Sequence, residues 1–268
     1  MNENITKLIK KFSNLDEVEG ILLAGSYALG TNDRNSDYDL YIYSSTSIDV
    51  SKRKKICDEF FEYIELNNTF WETEDDGFLK DKQIPVEIIY RNISWITENL
   101  DRVVYKFEAD AGYTTCVWYN FINSVILYDK NGLLKELQKK YKIGYPKELK
   151  ENIVRKNYAL LKGQMPAYYY QIEKALKRDD LISVNHRVAA FLASYFDIIF
   201  ALNEFPHPGE KKILKVIKDN NLNVPDKMEE TILNILKYSC SGDKLILEQI
   251  NLLIYNLKKI LDKEGFKY

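Results

Sequence analysis

The 268-residue sequence carries 38 Lys and Arg against 40 Asp and Glu, a formal charge of −2, with a pI near 5.9. A hydrophobic share of 46% with 29% charged residues suits a globular chain of about two domains, and the balance lacks the basic footprint of a protein that grips long nucleic acid. Cys57, Cys116 and Cys240 are odd in number and far apart, which argues against a disulfide framework or a zinc cluster; Met1 to Asn4 hold no apolar signal core, and Val188 to Leu202 is interrupted by Asp197 and too short for a bilayer, so a cytoplasmic, non-membrane protein is expected.

Along the chain, Asn4 is expected to cap a first helix in which Ile5, Leu8, Ile9 and Phe12 recur at helical spacing, ending at Ser13-Asn14. Gly20 to Ala24 is a continuous apolar run that reads as a buried strand closing at Gly25-Ser26, where small residues let backbone N–H groups approach an anion. Asp37 to Tyr43 alternates, so Leu40 and Ile42 face a core while Asp37 and Asp39 share the other face, with α-carbons roughly 6.6 Å apart. Both carboxylates can turn toward one ion. After a polar stretch, Asp49 or Ser51 is expected to cap a helix carrying Ile56, Phe60, Tyr63 and Ile64.

Residues Asn67 to Asp81 read as a solvated acidic loop, or as a lip in which Phe70 and Trp71 beside Glu72, Glu74, Asp75 and Asp76 attract a cationic substrate. Gln83 to Tyr90 is the next strand. Glu87 sits there between Val86 and Ile88, and a lone carboxylate in a β-branched run needs a reason that metal ligation would supply. Carboxylate donors without His or Cys suit Mg²⁺ or Mn²⁺ rather than zinc.

Helices are expected over 93–107, 114–128 and 133–141, and Gly144-Tyr145-Pro146 marks a boundary that divides residues 1–145 from 146–268. Beyond it the chain reads as helices separated near 164–166, 178–180, 205–209, 220–225 and 239–243, the last one showing Ile246, Ile250, Leu253, Leu257 and Ile260 as one buried stripe of a bundle. His186 and His207 have no clear metal partners in sequence. Asp197, if buried, needs a partner of its own.

An apolar-Gly-Ser turn, a spacer of ten residues between Ser26 and Asp37, Asp-x-Asp on a strand and a later apolar-acid-apolar strand together resemble the DNA polymerase beta superfamily of nucleotidyltransferases. Among its members the compact chain looks most like the bacterial aminoglycoside and lincosamide nucleotidyltransferases and their uncharacterised relatives. The resemblance covers roughly residues 20 to 90. It implies an α+β fold: a nucleotidyltransferase domain with a mixed sheet, followed by a helical bundle, with the active site in the cleft between them. It places Asp37 and Asp39 as metal ligands, Glu87 as a third ligand or general base, and Gly25 and Ser26 at the triphosphate of ATP or another NTP. A basic residue of the helical domain is implied over the phosphates, with Lys156 and Lys211, beside Lys162 and Lys212, as candidates that no motif separates.

The activity implied is metal-dependent transfer of a nucleoside monophosphate, AMP first, from NTP to a hydroxyl of a small cationic antibiotic-like acceptor, with release of pyrophosphate. That reading carries antibiotic resistance with it. A protein-modifying nucleotidyltransferase resembling the antitoxin of a toxin–antitoxin pair and a catalytically silent nucleotide-binding protein stay open beside it. No long nucleic acid and no membrane are expected as partners, and a homodimer is left open.

Overall fold

The computed structural model describes residues 1–80 and 84–266. Asp81, at the end of the expected acidic loop, and Gln83, at the head of the expected strand, lie outside them. Packing divides the chain into two compact units, Met1–Asp101 with Val117–Ile143, and Arg102–Cys116 with the chain from Gly144 onward.

The first unit is built on a six-stranded mixed sheet. In chain order its elements are helix α1 (Glu3–Phe12), strand β1 (Val18–Leu23), the short helix α2 (Gly25–Leu29), β2 (Tyr38–Ser44), α3 (Val50–Phe60), β3 (Phe61–Asn68), β4 (Glu74–Leu79), β5 (Pro85–Asn92), α4 (Ile93–Val104, its end from Arg102 falling to the second unit), α5 (Cys116–Asn123, from Val117 in this unit), β6 (Val125–Asp129) and α6 (Leu133–Tyr141). The strand order is β3-β4-β5-β2-β1-β6, with β2 and β5 parallel and every other pair antiparallel. Helix α1 buries Ile5, Leu8, Ile9 and Phe12, the stripe that its spacing predicts. They join Ile56, Phe60, Leu40, Ile42, Val86 and Ile88 in a core on one face of the sheet.

Four local expectations are corrected. The cap of α1 is Asn2, whose side-chain oxygen accepts the Asn4 N–H at 2.7 Å. Helix α3 stops at Phe60, and the chain turns into β3 without a loop; Ile64 and Leu66 then alternate onto the core while Tyr63 and Glu65 face away. Alternation over eight residues, paired to a neighbouring strand, outweighs the helical spacing of Ile56, Phe60 and Ile64. The expected helix over 114–128 is α5 followed by strand β6, which pairs with β1. Most of the expected acidic loop is strand: β3 extends to Asn68, and β4 begins at Glu74.

The second unit is helical among its described residues: α7 (Lys147–Tyr158), a π-helical turn at Ala159–Gly163, α8 (Tyr168–Leu176), α9 (Leu181–Leu202), α10 (Ile213–Asp219), α11 (Met228–Ser241) and α12 (Leu245–Lys263). The 22-residue α9 supplies Val184, Val188, Phe191, Tyr195 and Ile198 to the core, against Ile246, Ile250, Leu253 and Leu257 of α12. Segment 102–116 is tied to these helices by polar bonds: Thr114 donates to the buried Asp197 through its N–H (3.0 Å) and its hydroxyl (2.6 Å), and Gly112 N–H donates to Asn157 Oδ1 at 3.0 Å. Asn157 Nδ2 donates to Asp197 as well, so the one acid on the apolar helix is fully hydrogen-bonded. No described helix is long and apolar enough to cross a membrane.

Candidate functional site

Strand β1 runs into a bend that only glycine tolerates. Gly25 has φ +60°, and a Cβ on it would lie 1.7 Å from Asp39 Oδ2. The Asp39 carboxylate therefore lies against the backbone that opens α2, and the Ala24 N–H donates to the Asp39 carbonyl at 2.9 Å to hold the two strand ends together. Five residues later Gly30, again left-handed at φ +66°, ends the helix. Gly25 and Ser26 are thus at the head of a helical turn, half-buried, beside a carboxylate.

Asp39 lies in β2, and Asp37 lies one residue ahead of that strand. The parallel register sets Asp39 directly beside Glu87 of β5. Asp37, Asp39 and Glu87, each half-buried, offer carboxylate oxygens that all lie within 4.8 Å of one another. Three hard oxygen donors converging from one side fit a divalent cation of the magnesium class, which takes a few carboxylates and completes its shell with water and phosphate oxygens. Gly25→Ala is expected to force the Asp39 carboxylate off this group, on top of about 1 kcal/mol of left-handed strain. Loss of metal-dependent triphosphate binding by calorimetry, with the circular dichroism of the fold retained, is the outcome that checks it.

The acidic and aromatic residues expected as one patch are placed in separate surroundings. Asp75 is fully buried on the core face, where it accepts from Arg53 Nη1 (3.1 Å), the Asn67 N–H (2.7 Å) and the Tyr90 hydroxyl (2.7 Å). Glu72 accepts two bonds from Arg91, at 2.8 and 2.6 Å, and Arg91 stacks over Tyr41 and Trp95. Phe70 and Trp71 stay exposed, edge to face at 4.9 Å. Glu74 and Asp76, two residues apart on β4, face the same side as Glu87, because the register pairs Asp76 with Glu87. Burial pushes both carboxyls above their usual range; for Glu74 the neighbouring Asp76, Glu87 and Glu72 add to the rise, and for Asp76 the Asn68 amide works against it. The row Asp39, Glu87, Asp76 and Glu65 across four strands is invisible in the sequence, because only the register creates it. The alternation Glu74-Asp75-Asp76-Gly77-Phe78-Leu79, with the odd-numbered residues inward, is the local signal that could have revealed the strand.

The lysines belong to the second unit. Lys156 donates to the Ala109 carbonyl and Lys162 to Asn251 Oδ1 at 2.6 Å, while Lys211 and Lys212 are exposed. His207 is fully buried, with Cys116 Sγ at 3.4 Å from its Nδ1.

Residues 6–92 match the family model described as polymerase beta, nucleotidyltransferase, and residues 116–212 match a domain of unknown function (DUF4037). Among solved structures the chain is similar to a nucleotidyltransferase-like protein from Exiguobacterium sibiricum, with 10% identity and a TM-score of 0.44, over 98% of this chain and 74% of that one. No curated protein matches the sequence.

Proposed function

Because residues 6–92 are a nucleotidyltransferase domain of the polymerase beta superfamily, we propose that the protein moves a nucleoside monophosphate, with ATP as the first donor to test, onto a hydroxyl of a small amine-bearing acceptor of the antibiotic class. The observation that carries this reading is the convergence of Asp37, Asp39 and Glu87 beside the close approach of Gly25. These three residues would hold Mg²⁺ or Mn²⁺, which when bound neutralises phosphate charge and supports departure of pyrophosphate.

The chain's own part is positioning. Backbone N–H groups at Gly25 and Ser26 receive the phosphates, and the Asp39 carboxylate is held in place by its packing on Gly25. The acceptor oxygen bonds to the α-phosphorus as the bond from that phosphorus to the bridging oxygen breaks, and the hydroxyl proton passes to a carboxylate, for which Glu87 is the candidate. An acidic acceptor side suits a cationic substrate and repels nucleic acid, in keeping with a net charge of −2. Lys156 or Lys211 from the helical unit is the proposed phosphate contact, and the cytoplasm is the proposed compartment.

A screen of hydroxylated amines with radiolabelled ATP and GTP tests the reading. Label transfer to an aminoglycoside or lincosamide supports it; labelling of a protein alone, or tight salt-dependent binding of tRNA with no small-molecule labelling, overturns the acceptor assignment. Glu87→Gln is expected to lose turnover in either of its roles. If Glu87 is a ligand, high Mg²⁺ or Mn²⁺ restores part of the rate; if it is the base, the variant binds metal and nucleotide normally and stays slow at every metal concentration. A wild-type rate would remove Glu87 from the mechanism.

A further inference from the structure

We propose that the outer face of the α11–α12 hairpin is a docking surface for a second copy of this chain, and that two such hairpins close into an antiparallel four-helix bundle.

The pattern of exposure is the first support. The inward residues of both helices, Ile232 and Ile235 of α11 and Ile246, Ile250, Leu253 and Leu257 of α12, already pack in the core of the second unit. A second row runs along the outside of each helix. On α12 it is Leu245, Glu248, Leu252, Tyr255 and Lys259; on α11, beginning two residues ahead of the helix, it is Asp226, Glu230, Leu233, Lys237 and Cys240. All ten are exposed, with Leu233, Leu252 and Tyr255 bare over 53%, 37% and 58% of their surface. Both rows advance by alternating steps of three and four, the spacing by which one helix seats against another. An isolated exposed leucine is ordinary, but two adjacent rows at that spacing mark a face that a partner covers.

Charge and register identify the partner. Laid antiparallel, the α11 row of one copy meets the α12 row of the other in a single register: Asp226 opposite Lys259, Glu230 opposite Tyr255, Leu233 opposite Leu252, Lys237 opposite Glu248 and Cys240 opposite Leu245. Both charge pairs match in sign, and the leucine pair lies between them. A two-fold axis along the bundle repeats every contact, which makes the interface isologous. Such an axis keeps each residue at its own height, so the register between copies has to agree with the one inside the hairpin. Within one chain, Asn234 Nδ2 donates to Gln249 Oε1 at 3.4 Å and Asn256 Nδ2 to the Asp226 carbonyl at 3.0 Å. Residue 234 is thus level with 249 and 226 with 256, and docking sets them opposite 251 and 259. The difference is two or three residues, about 3 to 5 Å of helix rise, which a small stagger of the helices absorbs.

The size agrees. Helices of 14 and 19 residues lying side by side present a face about 25 Å long and about 20 Å wide, so two copies bury about 1,000 Å², the area at which a specific interface becomes stable. The face contains none of Gly25, Ser26, Asp37, Asp39 and Glu87, which belong to the first unit. Docking is therefore read by association and does not depend on the nucleotidyl-transfer reading.

Sedimentation equilibrium of the full chain, carried from nanomolar to high micromolar concentration, tests this. The wild type is expected to pass from the chain mass of 31.5 kDa to twice that value as concentration rises. Leu252→Glu is expected to weaken dimerisation about a hundredfold by placing a charge against Leu233, with unchanged circular dichroism because Leu252 is outside the core. Lys237→Glu and Glu248→Lys should each weaken it about tenfold through like-charge contact, and the double variant should recover most of the wild-type affinity, because the pair is rebuilt with its signs exchanged. Both positions are exposed, so these variants decide the matter even if Leu252→Glu fails to fold. A wild type that stays monomeric throughout, a dimer that all three single substitutions leave intact, or a double variant no tighter than the single ones overturns the proposal. Binding of a different protein to this face, by a chain that stays monomeric, overturns it as well.

Discussion

Asp39→Asn is expected to fold normally and to lose about a thousandfold in turnover, the largest effect among the substitutions considered. The amide keeps the shape that Gly25 accommodates, where a Cβ would lie 1.7 Å from the carboxylate. It removes one of the three anionic oxygens that lie within 4.8 Å of each other. Stabilisation of transferring phosphate charge is worth several kcal/mol, and each 1.36 kcal/mol is tenfold in rate, which yields about three orders of magnitude. Asp37→Asn should act in the same direction. Both variants should be no less stable than the wild type without metal, since each relieves repulsion among the three acids. Steady-state turnover on any labelled acceptor, with unfolding curves alongside, checks this; full activity in either variant would sink the metal-ligand assignment.

The second large effect lies in the helical unit, where two buried groups are expected to give stability opposite dependences on pH. Burial raises the Asp197 carboxyl from 3.8 to about 7, against the pull of its bonds from Thr114 and Asn157. The folded state therefore binds this proton more tightly than the unfolded chain, so ionisation costs stability: it falls as pH rises from about 4 to 7, by about 4 kcal/mol. His207 runs the other way. Its Nδ1 accepts the Gly209 N–H at 3.0 Å, which leaves the ring proton on Nε2, buried with no hydrogen-bond partner among the described residues. Burial lowers its pKa from 6.5 to about 4. The unfolded chain then binds the proton more readily, and stability is lost as pH falls from about 6.5 to 4, by about 3 kcal/mol.

In the wild type these slopes oppose each other. Asp197→Asn should expose the loss of stability on acidification, and His207→Gln should expose a gain. Urea unfolding at half-unit steps between pH 4 and 7.5 reads both; parallel profiles in wild type and variants would show that neither group titrates in that window.

How much of this was legible beforehand follows from the range of the interactions involved. The stripe of α1, the apolar run of β1, the alternation of β2 and the glycine-serine turn are properties of a few consecutive residues, and periodicity reveals them. The same local logic marks Asp37, Asp39 and Glu87 as odd acids on strands, and the fold brings their oxygens together. Residues 67–80 misled for the opposite reason. Their polarity says loop, but Asp75 is satisfied by Arg53 and Glu72 by Arg91, partners 22 and 19 residues away, so Asp75 can enter strand β4 and Glu72 can lie just ahead of it. Strand β6 was hidden because a five-residue strand directly after α5 shares its apolar residues with a helical spacing, and pairing with β1, about a hundred residues earlier, decides between them. Sequence alone thus determined the class of fold and the identity of the odd acids, because apolar period and turn chemistry are local. Tertiary structure alone decided which acids share a face and which are neutralised by a basic residue far along the chain. That choice depends on strand register and on charge partners, and both are fixed by contacts between residues far apart in the chain.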